Sequence, residues 1–190
     1  MTRARHEIPP HAPGAVALSA QMAALVPVLH TDRLVLRAPA LADFPVWADI
    51  MCGPRSLHLG GPMMRDDAWA DFIQLASGWY FHGHGGWTIT QGDAVMGFVL
   101  LGLEPGDAEP ELGFLLCAEA EGHGIAFEAA SAARAYAVQV GLPALVSYID
   151  PANTRSRQLA ERLEAARDLP AEQALNAGVC IYRHPMKHEV

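Results

Sequence analysis

Lysine is nearly absent from this chain: of its 13 basic residues one, Lys187, is a lysine. The 21 acidic residues leave a formal net charge of −8, and no basic run stands out. A nucleic-acid binder needs a basic footprint to neutralise phosphates, so that class is excluded. A GxxxxGK[ST] phosphate loop is excluded with it, because its lysine is missing. Cysteine is also scarce, with Cys52, Cys117 and Cys180 far apart and no CxxC pair. That argues against a disulfide framework and a zinc site, and each cysteine reads as a small buried apolar residue. His82 and His84 share a strand-like spacing but have no evident third ligand, so no metal is expected. No apolar run reaches the roughly 18–20 residues of a membrane span. The amino terminus has early arginines, but prolines break up any compact apolar segment, so the reading is a cytoplasmic protein without a secretion signal.

What is present suits one globular domain. A chain of 190 residues, 51% hydrophobic, buries roughly 70% of its unfolded surface on folding. Pro9, Pro10, Pro13 and Gly14 set residues 1–27 apart as a flexible or loosely docked tail with a short helix near 15–25. The ordered domain is expected over 28–190. Leu34 and Leu36 alternate with Arg33, Val35 and Arg37 as a strand. Two helices follow, one from a cap at Asp43 and one over 66–80 capped by Asp66 or Asp67. "GGWTITQ" and "AVMGFVLLGL" flank Gly92-Asp93 as a hairpin, and "ELGFLLCA" continues the meander. A long helix runs to about Val140 and stops at Gly141. "ALVSYID" reads as a strand, residues 151–166 as a helix and "VCIYRHP" as a last strand. This order predicts an α/β fold with a single mixed, mostly antiparallel sheet flanked by helices.

The stretch "CAEAEGHGIAFEAASAARAYA" sets Gly122 and Gly124 against the start of the long helix. The first amides of a helix lack intrahelical acceptors and carry partial positive charge. Glycines would let a phosphate approach the amides of Gly122, His123, Gly124, Ile125 and Ala126. The spacing does not fit GxGxxG, so a dinucleotide fingerprint is not met. On the residues alone, an anion site and a plain turn both remain open.

"EGHGIA" resembles the acetyl-CoA pyrophosphate loop of the GNAT N-acetyltransferase superfamily, Gln/Arg-x-x-Gly-x-Gly/Ala, with Glu121, Gly124 and Ala126 at the matching positions. Glu121 departs from the pattern, since a carboxylate replaces Gln or Arg and would repel a pyrophosphate unless it turned away. "TDRLVLRAP", "EPELGFLL" and "DPANTRSRQLAERL" resemble, in order, segments of the branch containing the Rim-type ribosomal-protein N-terminal acetyltransferases. Together these cover about residues 28–166. "LEAARD" stands where that branch has Gly-Phe after its last helix.

The resemblance implies a GNAT-like fold that transfers acetyl from acetyl-CoA, as co-substrate, to a primary amine by direct attack in a ternary complex. It implies that the backbone of Leu115, Leu116 and Cys117 pairs with the pantetheine arm, and that Asn153 reaches the cofactor. Asn153 also suits a helix N-cap. Ser156 would lie near the thiol end, or be a solvated first-turn serine. An amine attacks only when unprotonated, so a carboxylate that takes its proton accelerates the step. Glu111 is the candidate, with Glu109 on the same strand as its rival. Trp79 and Trp87 either line the acceptor pocket or belong to the core. Expected partners are a small-molecule or protein N-terminal amine and a second copy of the chain in a homodimer. A non-catalytic acyl-CoA sensor and a purely structural or partner-binding domain are the alternatives.

Overall fold

The computed structural model describes residues 4–186. Its helices are α1 (Pro13–Ala23), α2 (Phe44–Met51), α3 (Arg65–Phe81), α4 (Ile125–Gln139), α5 (Thr154–Arg162) and α6 (Leu169–Leu175). Its strands are β1 (Leu29–His30), β2 (Val35–Arg37), β3 (Gly86–Gln91), β4 (Ala94–Gly102), β5 (Glu111–Leu116), β6 (Val146–Ile149), β7 (Ala166–Arg167) and β8 (Cys180–Arg183). They form one sheet in the order β1-β2-β3-β4-β5-β6-β8-β7. Every neighbouring pair is antiparallel except β5 and β6. The single mixed, mostly antiparallel sheet flanked by helices is thus the fold expected from the sequence.

Side-chain alternation along β4 divides the core. Val99 and Leu101 join Leu36, Trp87 and Ile89 under α4, whose Ala129, Ala130, Ala133 and Ala137 are fully buried and let the helix lie close to the sheet. Phe98 points the other way, into an aromatic cluster with Phe44 and Trp47 of α2 and Phe72 of α3. Trp87 belongs to the first core, packed edge-on against Trp79 at 4.6 Å and Tyr136 at 5.3 Å. Its indole N–H donates to Pro27 C=O at 2.8 Å. Both tryptophans are core residues, which corrects the pocket-wall alternative.

Several local expectations shift for physical reasons. Asp43 does not cap α2, because Arg37 grips its carboxylate at 2.7 and 2.8 Å while Thr88 Oγ and Ala40 N–H donate to it. Nor does an aspartate side chain cap α3, which starts one residue earlier, at Arg65. α5 ends at Arg162, and Glu164 takes the left-handed conformation at φ 62°. The chain then turns into β7 and a further helix, α6, which Asp168 caps by accepting from Ala171 N–H at 3.0 Å. The leading segment docks through Glu7, which is 5% exposed and ion-pairs with Arg65 at 2.8 Å.

Candidate active site

The site begins where β5 and β6 part. They are registered at Glu111 and Val146 alone, and beyond that pair the strands diverge. Cys117 N–H donates to Met96 C=O at 2.9 Å, so its backbone faces β4. Backbone groups alternate in direction along a strand, so Leu115 faces β4 too, while Phe114 and Leu116 turn toward the opening. Leu112 C=O follows the same rule and accepts from Ser147 Oγ at 2.6 Å across the gap. The expectation for Leu115, Leu116 and Cys117 therefore divides. Leu116 offers its backbone to the opening, Leu115 and Cys117 are engaged with β4, and Phe114 is the residue the sequence reading missed.

At the far end of β5 the chain makes one 3-10 turn over Ala118–Ala120 and reaches the glycine turn. Gly122 and Gly124 sit at φ 78° and 77°, a region that penalises residues with a Cβ. With those dihedrals, the backbone N–H groups from Gly122 to Phe127, including His123, Ile125 and Ala126, find no protein acceptor among the described residues. Glu121 turns its carboxylate onto two guanidiniums, Arg55 on one oxygen and Arg155 on the other at 2.9 Å. The feared repulsion is thereby compensated within the protein. Arg33 adjoins the turn, donating to His123 C=O at 3.0 Å and to Glu128 at 2.7 Å.

On the α2–α3 face lies a cleft of about 490 Å³ lined by Asp71, Glu104, Asp107 and Glu111, with Trp47 and Phe81 among its apolar walls. No arginine or lysine among the described residues lines it. Burial pushes the Asp71 carboxyl up to about 6, with the Glu104 charge adding to it. Glu111 is pushed up to about 8 by burial, against a weak N–H bond from Tyr148 at 3.4 Å. A smaller hollow adjoins on the β6–α5 side, lined by Ser147, Asn153 and Ser156. Glu111 lines both. Glu109 lies outside the strand, clamped by both terminal nitrogens of Arg183 at 2.7 Å, and that guanidinium holds its carboxyl below the ordinary range. Its rivalry with Glu111 thus has no support in the geometry.

Asn153 caps α5, its Oδ1 accepting from Ser156 N–H at 3.1 Å, which leaves its amide NH₂ without a protein acceptor among the described residues. Cys117 Sγ donates to Val95 C=O at 3.5 Å, and burial raises its thiol above the usual range. His84 is buried with Nδ1 at 2.7 Å from Leu101 C=O. Sequence reasoning missed His58, whose Nδ1 lies 2.7 Å from Asp150 Oδ2 across 92 residues of chain, and which lines both hollows. No local pattern in "GPRSLHLGGP" signals that pairing.

A mixed sheet opened at its single parallel pair, with free amides at one end of the opening and an acidic cleft at the other, defines an acyl-CoA N-acyltransferase fold. A model of the acetyltransferase (GNAT) domain matches residues 33–166, and the chain belongs to that family of acetyltransferases. It is similar to an acetyltransferase from Agrobacterium tumefaciens, at 39% identity and a TM-score of 0.80, over 84% of this chain and 95% of that one. RimL, a ribosomal L7/L12 alpha-N-protein acetyltransferase known in complex with coenzyme A, matches at 16% identity and a TM-score of 0.67, over 83% and 97% of the two chains. The microcin C7 self-immunity acetyltransferase MccE, known in complex with acetyl-CoA and AMP, matches at 18% and 0.63, over 80% and 92%. The last two share the fold. No helix among the described residues is long and apolar enough to cross a membrane.

Proposed function

We propose that this acetyltransferase moves the acetyl group of acetyl-CoA to a cationic primary amine by direct attack in a ternary complex. The observation that carries the reading is the place of Glu111, on the wall common to the acidic cleft and the hollow beside Asn153 and Ser156. The free amides from Gly122 to Phe127 fit a pyrophosphate. The edge at Phe114 and Leu116, where Leu116 C=O accepts a long bond from Arg55 at 3.4 Å, fits the amides of a pantetheine arm, and the free NH₂ of Asn153 is a further donor toward it. Bound acetyl-CoA supplies the activated acetyl group, and Ser156 serves its thiol end.

The chain's own residues do the remainder. Carboxylates without a lysine or arginine among them attract an ammonium, and the apolar walls seat its carbon chain. Glu111, once ionised, takes the proton that the amine must lose, a step worth about 10²–10⁴ in rate. A bound ammonium draws its carboxyl back down from about 8. The raised Cys117 thiol is a poor nucleophile, which favours direct attack over a cysteine-bound acetyl group. Release of thiol from acetyl-CoA in the presence of spermidine, with mass spectrometry of the amine, tests the proposal. Amine-dependent release with an acetylated product supports it. Binding of acetyl-CoA without release would make the chain a sensor.

A further inference from the structure

Residues common to both hollows border the point where a thioester and an amine would meet. Three of these can exchange protons: Glu111, Tyr148 and His58. Tyr148 points its hydroxyl at Glu109 C=O, 3.4 Å away, and burial raises its phenol above the usual range. Glu111, at about 8, is mostly protonated at neutral pH before an ammonium binds. Only His58 has a partner that prepares it for the task. Asp150 accepts at 2.7 Å from Nδ1 of the ring, which places the proton of the neutral imidazole there and leaves Nε2 as a lone pair. Nε2 has no protein partner among the described residues. Asp150 is itself fixed, its other oxygen accepting from Ala152 N–H at 2.8 Å.

The titratable groups around His58 are mostly acidic. Asp150 faces it from the β6–α5 connection, and Glu111 and Tyr148 face it from β5 and β6. Asp71, Glu104, Asp107, His82 and His84 line the same cleft as His58. The cation nearest in sequence, Arg55 on the same turn, is occupied by Glu121.

We infer that His58, oriented by Asp150, is a second proton-transfer residue of the acetyl transfer: Glu111 takes the proton that turns the bound ammonium into an amine, and His58 takes the one lost as the amide forms. The inference rests on the acetyltransferase reading above. As the N–C bond forms, Nε2 takes the proton that leaves the amine nitrogen. As the C–S bond breaks, the imidazolium returns that proton to the thiolate. Acetyl passes from sulfur to nitrogen, one hydrogen passes from nitrogen to sulfur, and the imidazole ends as it began. Asp150 is a positioning residue in this scheme, since it acts through the ring.

The test is the pH profile of thiol release from acetyl-CoA with spermidine, for the wild type and for His58→Asn, whose amide can still donate to Asp150. The inference expects kcat near pH 7 to fall about 10²-fold, with KM for acetyl-CoA unchanged within about twofold. The remaining activity then rises toward the alkaline side, where hydroxide can take the proton lost as the amide forms. Asp150→Asn should lower kcat in the same direction by less. His58→Ala should regain activity when imidazole is added, a rescue that a merely structural role would not give. A His58→Asn enzyme within about threefold of wild type in kcat at neutral pH overturns the inference. So does a loss expressed only in KM, or a His58→Ala enzyme that binds acetyl-CoA normally yet gains nothing from imidazole. Wild-type protein that releases no thiol with spermidine overturns the cationic-amine reading first, and the role of His58 with it.

Discussion

Arg155 donates from Nη1 to Oε2 of Glu121 at 2.9 Å, while Arg55 takes the other oxygen of the same carboxylate. One acidic residue at the mouth of the glycine turn thus gathers cations from α5 and from the turn after α2. The face presented to an anion is cationic although its own sequence, "AEGHGIA", carries no arginine or lysine. Arg55→Ala and Arg155→Ala should each weaken acetyl-CoA binding about three- to tenfold, and the loss should shrink at high salt, since exposed charges are screened. Glu121→Gln frees both guanidiniums and should leave binding equal or tighter. Calorimetric titration at two ionic strengths measures all three, and weaker binding in Glu121→Gln would contradict this account of the turn.

Glu111→Gln should separate activity from stability. Turnover should fall about 10²–10⁴-fold if Glu111 is the base, with acetyl-CoA affinity unchanged. The folded-state carboxyl is raised to about 8 from 4.5. Between those values the folded protein holds a proton that the unfolded chain has lost, so stability declines as pH rises across that window. The glutamine carries no such penalty. The melting temperature of the variant should exceed that of the wild type, most of all at pH 8 and above. Thermal melts across the pH range check the sign.

The ends of α4 and α5 show how far the sequence could be read. Gly141 stops α4 at φ 77°, with Leu142 N–H bonding back to Ala137 C=O at 3.0 Å. That stop is legible because glycine adopts this conformation freely. α5 ends in the same arrangement, Ala165 N–H to Ala160 C=O at 3.0 Å, but with Glu164 in the left-handed position. A glutamate gives no stop signal, so the sequence reading carries that helix on to 166. Glu164→Gly should stabilise the protein by about 1 kcal/mol, seen as a raised melting temperature with unchanged activity.

The six longer strands, the hairpin at Gly92-Asp93, the glycine turn and the Asn153 cap were legible for a related reason: each depends on neighbours in sequence, whereas the two-residue strands β1 and β7 are too short to leave a pattern. The site's electrostatics were not. Glu109 is withdrawn by Arg183, 74 residues away, and His58 is oriented by Asp150, 92 residues away. Asp43 has the sequence of a helix cap, yet Arg37 and Thr88 claim its carboxylate. Trp79 and Trp87 could be placed only once α4 was seen to cover them with Tyr136.

His184 gives a prediction at acid pH. It is 3% exposed, with Nε2 at 3.0 Å from Ser147 Oγ and Nδ1 buried without a hydrogen-bond partner among the described residues. Since the Ser147 hydroxyl donates to Leu112 C=O, it accepts from Nε2–H, and the ring is neutral. Burial depresses its pKa to about 4, with Arg134 adding to the effect. The unfolded chain therefore binds a proton first, and stability is lost as pH falls from about 6.5 toward 4. His184→Leu should flatten that limb in melts between those pH values, because it removes the titrating group.

The most direct test of the central claim is thiol release from acetyl-CoA by wild-type protein, with and without spermidine, alongside Glu111→Gln. The account predicts release that depends on the amine, yields acetylated spermidine and falls by at least about 10²-fold in the variant. Acetyl-CoA that binds but is never transferred, or transfer that survives undiminished in Glu111→Gln, would contradict it.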